Sequence, residues 1–237
     1  NIKDWPEMPA LTDDLLVKVC SYITDPVTTT DELIPSGETS SLRSNPLKLA
    51  EFALSRKDPE YVGRAKDVFA FEKKREADPA DASVLQAVRK ALAPLEKSDR
   101  ALFDAICGGK DLAGTGIGST IFAMKPGDGS AREQAASSQK VLGGWANLAL
   151  EYATKRYRSN LINWGMLPFQ LNGAAPFGLG DYILIPHVRE ALKGDLQNIP
   201  AYVLGEEVKP FALYMAPLTS DEREILADGC LINYYKH

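Results

Sequence analysis

The stretch Gly127-Asp128-Gly129-Ser130-Ala131-Arg132-Glu133-Gln134 sets a hydroxyl and a guanidinium two positions apart, after two glycines and before a run of helix formers. Glycine lets a backbone fold tightly, so Ser130 is expected at the N-terminus of the helix that follows. Free N–H groups and the helix dipole there favour an anion. The planar guanidinium of Arg132 suits carboxylate oxygens. On spacing alone the same residues also read as a capping serine followed by a surface arginine. Arg43, among Ser40, Ser41, Ser44 and Asn45, has a weaker case by itself, and Thr30 and Asp31 read as turn residues.

Other chemistries find few residues to work with. Gly114-x-Gly116-x-Gly118 lacks the G-x-G-x-x-G spacing of a dinucleotide fold, and a strand follows these glycines rather than preceding them, so a loop is expected. His187 and His237 are the only histidines, too few for a Ser-His-Asp triad or a zinc site with the residues around them. Cys20, Cys107 and Cys230 are far apart, without a C-x-x-C pair, so no metal ligands and no disulfide framework are expected, and a reducing cytoplasm fits. By itself the sequence offers no complete catalytic centre.

The frame that must position these residues is ordinary in composition. The 237 residues are 45% apolar and 25% charged, with a net charge of −5, which is globular rather than disordered. An acidic balance without a long basic run argues against nucleic acid. The longest apolar stretches, such as 211–218, are far short of the roughly 20 residues that span a bilayer. Asn1, Trp5, Pro6 and Pro9 suggest an interdomain linker over 1–12, entered midway in a longer protein.

Strands are expected at 15–20, 119–124, 182–185, 201–204 and 211–215. The polar stretch from Thr28 to Asn45 reads as a long loop of the kind that carries function. From Pro46 to about 100 the pattern is helical, with Pro59 as a first-turn proline and apolar stripes at 61–69 and 84–95. The run Lys73-Lys74-Arg75-Glu76 reads as a solvated helix end. Further helices are expected at 132–142, stopping at Gly143-Gly144, before Trp164-Gly165, and at 220–227. The reading is mixed α/β in one domain.

The Gly127–Gln134 stretch resembles the G-x-G-S-S-R-E-H motif of the C-terminal swivel domain of the aconitase superfamily. Leu142-Gly143-Gly144 follows at the family distance, and residues 160–168 (NLINWGMLP) resemble its N-L-x-x-x-G-[IL]-L-P segment. Residues 29–37 (TTDELIPSG) resemble the T-T-D-H-I-S-A-A-G block, Arg43 lies in the loop after it, and Leu231-Ile232-Asn233-Tyr234 resembles the C-terminal pattern. The resemblance covers most of the chain and is poorest over 46–100, which reads as a helical, insertion-like segment.

The resemblance implies a three-layer β/β/α swivelling domain spanning 1–237. It would close over a catalytic portion whose 4Fe–4S cluster acts as a Lewis acid on a hydroxy acid. It implies that Ser130 is the base that removes a proton from carbon, and that Asp31 belongs to the acid–base network. Arg43 and Arg132 would bind substrate carboxylates beside Gly129 and Ala131. The cluster ligands lie outside this chain, so the partner is the cluster-bearing portion, in the same polypeptide or as a large subunit. The substrate class is a hydroxy di- or tricarboxylic acid, with no nucleic acid and no membrane involved.

Three positions depart from the family: Ala131 replaces the second serine, Gln134 a histidine, and Glu32 another histidine. The leading expectation is the swivel domain of a hydro-lyase. A free-standing small subunit of an isopropylmalate-type isomerase is the alternative, and a non-catalytic anion-binding or regulatory relative is the third reading.

Overall fold

β1 (Asp14–Ile23) is buried along most of its length, so it has to be covered on both faces. The computed structural model describes residues 7–237, and residues 1–6 of the expected linker lie outside them. After β1 come β2 (Thr28–Thr29), α1 (Thr30–Leu33), α2 (Pro46–Ala50), α3 (Tyr61–Ala77), α4 (Ala82–Ser98) and α5 (Arg100–Cys107). Next are β3 (Thr115–Ala123), β4 (Pro126–Asp128), α6 (Arg132–Val141), β5 (Gly144–Ala149), α7 (Lys155–Asn163), β6 (Leu167–Gln170) and β7 (Tyr182–Ile185). The chain finishes with α8 (Val188–Ala191), β8 (Ile199–Leu204), β9 (Val208–Leu213), α9 (Ser220–Asp228) and α10 (Leu231–Tyr234).

Seven strands form one sheet in the order β6-β5-β3-β1-β7-β8-β9. The β6-β5-β3-β1 half is parallel, and β1-β7-β8-β9 is antiparallel. The sheet curls until its two ends meet: Gln170 and Tyr214 exchange backbone hydrogen bonds of 2.7 and 2.9 Å.

Side chains alternate across a strand, and the two sets of β1 enter different cores. Leu15, Val17 and Val19 lie inside the curl with Phe122, Phe169, Ile183, Val203 and Leu213. Leu16 and Cys20 face the other way, toward α3 to α6, through Tyr61, Ala65, Val88, Leu92, Phe103 and Ala136. Two facing parts of a curled sheet and a helical layer make the expected β/β/α arrangement.

The helical stretch 46–100 holds α2, α3 and α4, the last two carrying the stripes expected at 61–69 and 84–95. α3 begins at Tyr61 with Glu60 as its N-cap, so Pro59 lies in the preceding turn and not in the first helical turn. The expected solvated helix end at 73–76 is partly interior. Arg75 is buried and donates from Nε and Nη2 to Glu72 at 2.8 and 2.6 Å, while Glu72 also accepts from the Ile117 amide at 2.7 Å. That pair fastens α3 to the start of β3.

Gly116 and Gly118 are also not in a loop, because both lie within β3. A Cβ on Gly118 would stand 2.2 Å from the Trp145 ring and 2.8 Å from the Gly143 carbonyl. The glycine run admits the neighbouring strand and its tryptophan.

Candidate functional site

β1 and β3 are parallel neighbours, so their C-terminal ends emerge side by side. In open α/β sheets that is where ligands bind. Each strand runs on into a short one, β2 or β4, and these two pair in parallel as well, with Thr28 opposite Pro126 and Thr29 opposite Asp128. From β2 the chain enters α1, and from β4 it turns into α6. The topology thereby brings Thr30, at the start of α1, against Gly129, although about a hundred residues separate them in sequence.

The Gly127–Ala131 turn is tightly supported from below. Gly127 has φ +102, and a Cβ there would lie 2.4 Å from the Tyr157 ring. Tyr157 is fully buried, donates its hydroxyl to Asn147 Oδ1 at 2.6 Å and accepts from Gln139 Nε2 at 3.0 Å. Asn147 Nδ2 closes the triangle on Gln139 Oε1 at 2.6 Å. Thr154, the N-cap of α7, donates its hydroxyl to the Gly127 carbonyl at 3.1 Å. Gln139, Asn147 and Tyr157 went unnoticed in the sequence, where nothing marks polar residues on three separate elements as one network.

Ser130 is not the cap of α6. The N-cap is Ala131, with no side-chain cap hydrogen bond, and Ser130 stands one residue before it, exposed. Its hydroxyl makes no hydrogen bond to any described residue. A helix start normally gains a side-chain oxygen partner, and with alanine in that place the first-turn N–H groups stay open. Arg132 is half-buried and forms no ion pair with a described residue. Its Nε is shut off from solvent without a hydrogen-bond partner. Glu133 accepts from Trp164 Nε1 at 3.1 Å, tying α6 to the end of α7.

The upstream block is built on a capping box. Thr29 Oγ1 accepts from the Glu32 amide, and Glu32 Oε2 accepts from the Thr29 amide at 2.7 Å. The Glu32 departure therefore serves the start of α1. Asp31 is exposed and pairs with Arg56 at 2.5 Å. Arg43 is exposed after a 3-10 turn at Ser40–Leu42, with no hydrogen bond to a described residue. Asn45 then caps α2, which packs on α6, and this joins the Arg43 loop to the helix that begins at Arg132.

Among the described residues the Ser130 hydroxyl has no hydrogen bond and Arg43 and Arg132 have no ion pair, and with the open amides of the first α6 turn these are groups suited to an anion with several oxygens. A cavity of about 600 Å³ between α5 and α8 is lined by none of these residues. Among the described residues no three His, Cys, Asp or Glu side chains are grouped to hold a metal ion. The three cysteines are each buried and free, and burial raises Cys20 and Cys107 to about 11, away from the thiolate a metal needs. These donors do not fit an iron–sulfur cluster.

Residues 117–174 match the family described as the aconitase C-terminal domain. That segment includes the Gly127 turn and the 160–168 stretch but not Asp31 or Arg43. Over 94% of this chain and 93% of the other, the structure is similar to that of 3-isopropylmalate dehydratase (leuD) from Methanocaldococcus jannaschii, with a TM-score of 0.55 and 22% identity. No curated protein sequence matches.

Proposed function

We infer that this chain, an aconitase-superfamily swivel domain by its matched segment and its fold, supplies the proton-abstracting and carboxylate-binding half of a hydro-lyase site. The proposed domain spans 1–237, with 46–100 as a helical insertion. The substrate class is a hydroxy acid with two or three carboxylates. The observation that carries the reading is the union of the Gly127 turn with Thr30 at the start of α1, at the paired ends of β1 and β3, beside an Arg132 that no described residue neutralises.

In this proposal Arg43 and Arg132 grip two carboxylates and so fix the carbon between them near Ser130 Oγ. Ser130 takes the proton from that carbon. A serine hydroxyl is a weak base in water, and the open amides of the first α6 turn, with Arg132, would stabilise the alkoxide form. Asp31 would take part in moving that proton onward. Departure of the hydroxyl needs an acid or Lewis acid outside this chain, and no part of it is assigned to these residues. The proposed partner is a cluster-bearing catalytic portion.

A second reading places that portion in a separate large subunit, as in isopropylmalate-type isomerases. Turnover by the complete protein, loaded with its cluster, tests both across a panel of hydroxy di- and tricarboxylates. Activity that collapses in Ser130→Ala while substrate still binds supports the reading. Equal turnover by both proteins removes Ser130 as base.

A further inference from the structure

The turn after α2 is bent through a conformation that few side chains adopt, and it delivers two cations to α1. Leu54 has φ +56 and is buried in the helical-side core. Its amide donates to the carbonyl of Leu33, the last residue of α1, at 2.9 Å, and its own carbonyl accepts from Lys57 and Asp58 at 2.9 and 2.7 Å. Left-handed leucine persists only where its surroundings over-determine it.

The consequence is that Arg56 and Lys57 stand over α1. Lys57 pairs with Asp25 and, at 3.6 Å, with Glu32. Arg56 divides its guanidinium: Nη1 holds Asp31 Oδ2 and Nη2 holds Glu38 Oε1, each at 2.5 Å. Glu38 lies in the loop that reaches Arg43 five residues later.

We propose that Arg56 is a positioning residue of the site, its forked guanidinium fixing Asp31 and, through Glu38, the loop that presents Arg43. This rests on the function proposed above for Asp31 and Arg43. The three side chains are 45% to 64% exposed, so the pairs add little to stability. Their effect is geometric, and a lysine, a point charge without a fork, cannot reproduce it.

The test compares Arg56→Gln, Arg56→Lys and Glu38→Gln in the complete, cluster-loaded protein. Glu38→Gln frees only the loop, so KM should rise by roughly threefold or more with kcat little changed. Arg56→Gln frees Asp31 as well, so KM should rise and kcat fall by roughly tenfold or more, and Arg56→Lys should recover only part of this. Hydrogen exchange at 34–45 should quicken in both glutamine variants while β1, β3 and the melting temperature stay as in the wild type.

Wild-type kinetics in Arg56→Gln, full recovery by lysine, or unchanged exchange at 34–45 would overturn the assignment. Ser130→Ala separates the two ideas. If it abolishes turnover and Arg56→Gln does not alter it, the positioning role alone fails. If Ser130→Ala is fully active, Ser130 is removed as base; if the wild type itself turns over no hydroxy acid, the hydro-lyase reading fails, and exchange at 34–45 decides whether Arg56 holds the loop.

Discussion

Gly129 lies so close to Thr30 that a Cβ on it would sit 2.2 Å from the threonine Oγ1. The two motifs of the site are thus joined backbone to side chain, and Thr30 is itself 2% exposed with no room to retreat. The φ of +136 at Gly129 is a second demand that only glycine meets easily.

Gly129→Ala should therefore separate the β4 turn from α1. The expected loss is about 1–3 kcal/mol from backbone strain, with the clash added to it. Urea unfolding with an unchanged m-value would measure the loss, and the complete protein should lose turnover beyond what the stability change explains.

Ala131→Ser should act in opposite directions on folding and turnover. A serine at this N-cap gives α6 the side-chain acceptor it lacks, worth about 0.5–2 kcal/mol. The same hydroxyl would occupy amides proposed to stabilise the Ser130 alkoxide. A higher melting temperature together with a lowered kcat is the expected pair of results, and a lowered kcat without stabilisation would show that the serine does not cap.

Tyr157→Phe removes the hydroxyl that joins Asn147 and Gln139. Asn147 Oδ1 would be left buried without that donor, at a cost of about 1–3 kcal/mol. Because the ring itself still fits beneath Gly127, the turn should keep its shape. Chemical denaturation should show the destabilisation, and KM should stay close to the wild-type value.

Lys140 gives a pH signature apart from the site. It is 7% exposed, its ammonium lies 3.8 Å from the Trp145 ring centroid, and burial lowers its pKa to about 8 from 10.5. The unfolded chain then holds more protons than the folded one between these values, so this group makes stability rise with pH from about 8 toward 10.5. Cys20 and Cys107, both raised by burial, pull the other way. The measurable quantity is the stability difference between wild type and Lys140→Met, which should shift in favour of the wild type over that interval.

The legible parts of the sequence were those whose signals are local. Glycines at 127 and 129 followed by helix formers announced a turn and then α6, and the helix expected at 220–227 is α9. β5 and β6 were missed because strands buried on both faces show no alternation to read. Gly116 and Gly118 misled for a related reason, since their lack of side chains serves a neighbour, Trp145, known only once the sheet is assembled. Ser130 was placed one residue too deep, at the cap that Ala131 holds. Arg56 carried no sequence signal at all, being a surface arginine given its partners by the bend at Leu54.

The meeting of Gln170 with Tyr214 bears on how this domain can associate with other chains. Rows of unpaired backbone groups on outer strands invite strand addition and aggregation. Here β6 and β9 satisfy part of each other's backbone, and both carry a proline, Pro168 and Pro210, with Lys209 beside the second. Strand-to-strand docking is disfavoured on both sides of the sheet. The partner proposed to close over Ser130 would instead be recognised by the loops and helix ends at the carboxyl ends of the parallel strands, where the chain can be approached and withdrawn from without breaking a ladder.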